Sequence, residues 1–314
     1  MSDDTALGPG REFDVIRDLV KRWGTAAHGI GDDAAVLDVP AGARLVASTD
    51  ATVENVHFRR GWLSPREIGF RAATAALSDL AAMAASPLAM LVAMSVPVDW
   101  RPVVGEIADG LGEAARAFGA PITGGNLTGG SELAITVTVL GSAAHVLRRV
   151  GAKPGDLLYV TGALGGPGAA LRAWDQGGSP SAEHHARFAR PTARIREAAW
   201  LAAHGAHAAI DVSDGLFADA RHLAAASRVM AYIELEAVPR VGGVTPEDAL
   251  RSGEEYELLV AAPRLDEHAF ARAFAFPLTR VGSVESAIGG PPGARVRAHG
   301  TFVDLPAGHD HFSG

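Results

Sequence analysis

The sequence predicts a protein of mixed α and β structure in two domains. Three observations point there. The chain has 314 residues, too many for one ordinary core and about the length of two. Hydrophobic residues make up 48% and charged residues 20%, the balance of a globular chain rather than a disordered one. Helical and β-branched stretches alternate, and the texture changes near residue 150. There "RRVGAKPGDLLYVTGALGG" (148–166) sets a Gly/Pro-bearing turn ahead of a new strand and a glycine-rich loop.

The elements follow in order. Residues 12–22 read as a short helix and "RLVASTD" (44–50) as a strand ending in polar residues. "SPREIGFRAATAALSDLAAMAA" opens with Ser64 as N-cap and Pro65 at the first helical position, then continues as a long helix. "PLAMLVAMSVP" (87–97) is uniformly apolar, which suits a buried strand; 102–118 is helical and "ELAITVTVLGSA" (132–143) a β-branched strand. After the boundary come a strand at 157–161 and a helix near 166–175. Helices are then expected at 192–203, 216–226 and 264–273, and strands at 207–211, 229–235, 256–261 and 277–283. "IGGPPGARV" (288–296) reads as a loop and "GHDHFSG" as a polar tail.

Composition excludes several functions. With no cysteine there is no disulfide, thiolate nucleophile or sulfur-ligated metal. The net charge of −8 and the lack of a Lys/Arg run argue against nucleic acid and anionic membranes as partners. The N-terminus has no signal-peptide pattern, so a cytoplasmic protein is expected. Lys21 and Lys153 are the only lysines and neither follows a glycine, so there is no P-loop. "GIGDDA" formally fits a dinucleotide fingerprint, but no buried strand precedes it and its two acids would repel a pyrophosphate.

The informative residues are acidic. Asp32 and Asp33 adjoin in "GIGDDAAV", where like charges repel unless solvated or bridged by a cation. Asp50 ends "STD", Asp211 and Asp214 frame "DVSDGL", and Glu254 lies in "SGEEYELL". Each falls at an expected strand end or helix start, where a cap or turn explains it as readily as a ligand does. Asp79 differs. It sits inside the long helix with Ala75, Ala76, Ala82 and Met83 on its face, so it is costly to bury unless paired or metal-bound. Hard oxygen donors of this kind suit Mg²⁺ and phosphate chemistry. The loop "TGALGGPGAAL" (161–171) follows a strand and opens a helix, so it either offers N–H groups to an anion or is a tight turn.

Taken together, "GIGDDAAV", "STDATVENVHF", "LSDLAAMAA", "TGGNLTGG", "RRVGAKPGD", "DVSDGL" and "GEEYELL" resemble, in order and spacing, the thiamine-monophosphate kinase family. That family belongs to the superfamily of aminoimidazole ribonucleotide synthetase and selenophosphate synthetase. The resemblance implies a two-domain α+β fold, with an N-terminal domain (1–149) that binds ATP and Mg²⁺ and pairs its sheet across a homodimer. A C-terminal α/β domain (150–314) would follow. It implies Mg²⁺ and ATP as requirements and thiamine monophosphate as acceptor. Asp33, Ser48, Thr49, Asp50, Asp79, Asp211 and Asp214 match metal ligands. Gly125, Asn126, Arg149 and Ser213 match nucleotide contacts, and His57 and Glu254 match acceptor contacts. No protein nucleophile is implied. Lack of cysteine removes the chemistries of selenophosphate synthetase and the related hydrogenase-maturation protein. Three positions depart from the family: Asn126 replaces an aspartate, Ala76 an asparagine, and "FVDLPAGHDHF" has no tryptophan. An amide at 126 brings no charge, so one ion is expected to be held more weakly.

Overall fold

The computed structural model describes residues 11–31, 33–288 and 290–304. Asp32 and the tail from Leu305, with Pro306 and His309, lie outside the described residues. Two compact units form, Met1–Leu80 with Ala85–Ala144, and Ala81–Ala84 with His145–Gly314. Among the described residues, no helix is long and apolar enough to cross a membrane.

The first unit contains α1 (Arg11–Trp23), β1 (Arg44–Val53), α2 (Pro65–Ala82), β2 (Ser86–Val96), α3 (Val104–Phe118), β3 (Ile122–Gly129) and β4 (Ala134–Ala143). A reciprocal capping box starts α2: the Glu67 carboxylate accepts from the Ser64 N–H and hydroxyl, both at 2.8 Å, and the Glu67 N–H donates to Ser64 Oγ at 3.3 Å. The glycines of α2 and α3 bring the two helices together. A Cβ on Gly69 would stand 2.0 Å from the Ile107 carbonyl oxygen, and one on Gly110 1.9 Å from that of Arg66.

The sheet runs β1-β4-β2-β3, with β1 and β3 at opposite edges. Period-2 alternation divides its faces. Ile135, Val137 and Val139 of β4 are buried on the side where Leu80 of α2 packs against Gly141, while Thr136, Thr138 and Leu140 on the other side are half-buried. β3 was not among the expected strands, because "TGGNLTGG" has little β-branched pattern to reveal it. It holds its place beside β2 through a register shift between Met90 and Leu91 and the close approach of Gly125, whose Cβ would lie 1.8 Å from the Val92 carbonyl oxygen.

The second unit contains β5 (Leu157–Thr161), α4 (Gly166–Asp175), α5 (Ala182–Ala189), α6 (Ile195–Ala203), β6 (Ala208–Asp211) and α7 (Leu216–Ser227). It continues with β7 (Val229–Glu234), α8 (Pro246–Arg251), β8 (Leu258–Ala262), α9 (Glu267–Phe274), β9 (Leu278–Ser286), β10 (Gly293–Ala298) and β11 (Thr301–Val303). The strands form one mixed sheet, β11-β10-β7-β9-β5-β8-β6. Both faces are covered. Leu158 and Val160 of β5 join a core with Leu216, Leu223 and Leu250, whereas Tyr159 between them joins Leu201, Phe270 and Leu278. The expected loop at 288–296 is corrected in its second half, where β10 pairs in parallel with β7 from Gly293 to Arg297. The Gly/Pro cluster ahead of it conceals a short strand whose Val296 is buried.

Candidate functional site

In the first unit, β1 and α2 bring three of the expected residues to one side of the sheet. Ser48 and Asp50 are two apart on β1 and share a face, and the Ser48 hydroxyl donates to Asp79 Oδ2 at 2.5 Å. Asp79 is half-buried amid the fully buried Ala76 and Leu80. Asp50 Oδ1 accepts the N–H of Ala51 at 2.7 Å. Thr49 faces the other way, its hydroxyl 3.1 Å from that of Thr138. Asp33 is exposed in the turn after Gly31. His57 lies in the turn after β1, where Nδ1 accepts the Val53 N–H at 3.1 Å and the proton of the neutral ring falls on Nε2.

Gly125 and Asn126 sit apart from these acids. Across the sheet, one row runs Asp50, Val137, Val92, Gly125, and the next runs Ala51, Thr136, Ala93, Asn126. Gly125 therefore shares Asp50's row but lies three strand spacings away, about 14 Å. Asn126 lies on the opposite face.

The second unit joins the loops around two other motifs. Residues 211–215 link β6 to α7, and 252–257 link α8 to β8. The N–H of Glu254 donates to the Ser213 carbonyl at 2.7 Å, those of Glu255 and Tyr256 to Val212 at 3.1 and 2.9 Å, and that of Val212 to Glu257 at 2.7 Å. Two glycines permit this approach: a Cβ on Gly253 would be 2.6 Å from the Ser213 carbonyl oxygen, and one on Gly215 2.9 Å from that of Arg251. Ser213, Asp214 and Glu254 are thereby held along one seam beside the buried Asp211. Arg149 is exposed, and its carbonyl accepts the Ser227 hydroxyl at 2.8 Å.

A carboxylate missed from sequence lies behind this seam. Asp219, on the first turns of α7, is 2% exposed and accepts the N–H groups of Ser213 and Asp214 at 3.0 and 3.1 Å. Burial, then the charges of Asp211 and Asp214, push its pKa up to about 8 despite those two hydrogen bonds. The charges of Asp211 and Asp214 thus weigh on Asp219, and a cation bound nearby would reverse that penalty. Among the described residues, no three His, Asp or Glu side chains already form a metal cage.

Comparisons with known proteins identify the family. The AIR synthase related protein N-terminal domain matches residues 31–143 and the corresponding C-terminal domain matches 153–288. The thiamine-monophosphate kinase of Rhodopirellula baltica is 37% identical over 290 residues, covering 86% of this chain and 87% of its own. The chain belongs to the thiamine-monophosphate kinase family. A thiamine-monophosphate kinase structure from Stenotrophomonas maltophilia superposes with a TM-score of 0.79 at 33% identity, covering 95% of this chain and 98% of that one. A second solved structure, AaThiL complexed with AMPPCP and TMP, gives a TM-score of 0.75 at 30% identity over 96% and 97% of the two chains.

Within this thiamine-monophosphate kinase relative, two N–H groups of the glycine-rich loop at 161–171 are taken by side chains of the same unit. The Gly165 N–H at the start of α4 donates to Glu255 Oε1 at 2.5 Å, and the Gly168 N–H donates to Ser252 Oγ at 2.9 Å. Burial pushes the Glu255 carboxyl up to about 8, with Glu257 adding to the rise and the Ser252, Gly165 and Arg187 contacts opposing it. Glu257 is 2% exposed and is bound by Thr161 Oγ1 at 2.6 Å and by Arg194 Nε and Nη2 at 2.7 and 2.5 Å. The two acids after Glu254 thus anchor the loop that carries it.

Proposed function

We propose that this protein transfers the γ-phosphoryl group of ATP to thiamine monophosphate in one in-line step that requires Mg²⁺. The observation that carries the reading is the crowding of Asp211, Asp214 and Asp219 at the zipped seam, on a chain similar over nearly its whole length to AaThiL complexed with AMPPCP and TMP. Mg²⁺, when bound, would neutralise the charge that gathers on the transferring phosphoryl group. Asp33, Ser48, Thr49, Asp50, Asp79, Asp211 and Asp214 are the residues we assign to hold it. Gly125, Asn126, Arg149 and Ser213 are assigned to the nucleotide, and His57 and Glu254 to the acceptor.

The division of labour follows from the chemistry. The acceptor is already a phosphate oxygen and needs little help from a base near neutral pH, so positioning and charge compensation suffice. His57 stands in the turn after β1, where the Val53 N–H holds its ring. Arg149 is exposed and carries the permanent charge a phosphate chain needs.

A homodimer accompanies this reading. The sheet of the first unit has one face covered by its own helices, and the other bears half-buried Thr136, Thr138 and Leu140 and an exposed Leu45. β1 and β3 are the edge strands of this sheet, with Ala27 bridged to the first residue of β3, Ile122.

The test is ADP formation from Mg·ATP with a panel of phosphorylated acceptors that includes thiamine monophosphate. Preference for that acceptor supports the assignment. Turnover with another phosphorylated metabolite alone favours a second reading, a sister kinase, to which the lack of a tryptophan in "FVDLPAGHDHF" points. Sedimentation as a monomer at micromolar concentration would remove the dimer.

A further inference from the structure

The turn that carries Glu254 holds two residues in a conformation that side chains avoid. Glu254 has φ 63° and Tyr256 φ 56°, both in the left-handed region, and neither is a glycine. Such a backbone persists only where its surroundings over-determine it. Here they do. Glu254, Glu255 and Tyr256 each donate an N–H to the 212–213 backbone, and the Glu255 carboxyl is locked on the Gly165 N–H. The two left-handed residues flank Glu255, which is buried. Across this short arc the Tyr256 hydroxyl donates to Glu254 Oε2 at 2.5 Å. The tyrosine ring is itself buried, at 7% exposure.

We propose that Tyr256 is a positioning residue that aims the Glu254 carboxylate at the phosphorylated acceptor; this rests on the assignment of Glu254 to that acceptor. A buried ring offers a fixed donor, and its hydroxyl occupies one oxygen of the carboxylate. The hydroxyl thereby fixes the orientation of the carboxylate beside the 211–215 seam. A free glutamate side chain samples many rotamers, and this tether removes most of them before the acceptor arrives. The strained backbone serves the same end, since it lets residues two apart face each other.

Steady-state kinetics on the full-length protein test this, with ATP and acceptor varied separately. The variants are Tyr256→Phe, which keeps the ring, Glu254→Gln and the double variant. Tyr256→Phe is expected to raise the acceptor KM about tenfold, the scale of one lost hydrogen bond to a charged group. The kcat and the ATP KM should move less than about twofold, which a general loosening of the fold would not respect. In the Glu254→Gln background the tyrosine change should add nothing, because the residue it aims has already lost its charge. An unchanged acceptor KM in Tyr256→Phe, or additive effects in the double variant, overturns the positioning role while Glu254 keeps its assignment. Should Glu254→Gln leave the acceptor KM unchanged, the assignment of Glu254 itself falls and the positioning role falls with it. Equal melting temperatures for wild type and Tyr256→Phe would exclude misfolding as the cause of a raised KM.

Discussion

The two acid sets of this chain are built on different principles. In the first unit, Asp79 is half-buried, takes a hydroxyl proton from Ser48, and has Asp50 on the same side of the sheet. In the second, Asp211 and Asp219 are buried with Asp214 close by, and the pKa of Asp219 rises to about 8. One set is softened by a hydroxyl and solvent; the other is compressed. Asp219 carries a charge penalty that a proton or a cation relieves.

The largest effect should come from removing one acid of either set. Asp79→Asn and Asp211→Asn are each expected to lower turnover with Mg·ATP by roughly 100-fold or more, the scale of losing one electrostatic contact to a transition state. Asp38→Asn, at an exposed loop position, serves as the control and should change little. If all three variants behaved alike, neither set would hold the reacting charges.

Rigidity of the second set can be tested from beneath. Glu257→Gln leaves the Arg194 guanidinium buried beside an amide, and breaking a buried pair this way costs about 3–5 kcal/mol. Chemical denaturation should show that loss. A change under about 1 kcal/mol would mean the pair is not what anchors the loop.

Much of this was legible in the sequence, for reasons that differ by residue. Asp79 stood out because an acid inside an alanine stripe is costly to bury unless paired or metal-bound. Asp219 did not, because in "LFADARHL" it reads as one more acid near a helix start, where the dipole welcomes it. Only the fold shows that its carboxylate turns back to the Ser213 and Asp214 N–H groups. Glu255 and Glu257 hid for a similar reason, as ordinary charges beside Glu254. The glycine-rich loop left an open choice that tertiary structure decided, since its N–H groups go to Glu255 and Ser252. The helices were clear from their caps, as with Ser64 and Pro65. β3 was not, since glycines carry no pattern to read.

Glu255 yields a pH-dependent difference between the units. Its folded value of about 8 lies above the ordinary 4.5. Between those values the folded chain keeps a proton that the unfolded chain has lost, so this group makes stability fall as pH rises through the window. The steepest slope is about 1.4 kcal/mol per pH unit. Glu255→Gln keeps an acceptor for the Gly165 N–H and carries no proton to lose. Its stability relative to wild type should therefore climb from near parity at pH 5 to an advantage of about 3 kcal/mol at pH 8. A constant difference across that range would show that Glu255 is ionised in the folded protein.

The smallest expected effect asks whether the first set is complete in one chain. Asn126 lies on edge strand β3, on the opposite face from Asp50 and three strand spacings away, about 14 Å. Within one sheet that gap is too wide for a shared ion, whose oxygen ligands stand about 2 Å from it. A second copy closes it if it brings its own β3 to this set. Under that arrangement, Asn126→Asp adds a charge to the set and should lower the Mg²⁺ concentration for half-maximal rate, by about tenfold if one charged contact is gained. The gain should vanish on dilution below the dimer's dissociation constant, since the charge comes from the other chain. A gain that persists in the monomer would contradict the strand register. No gain in the dimer would mean that β3 of one copy does not approach the acids of the other.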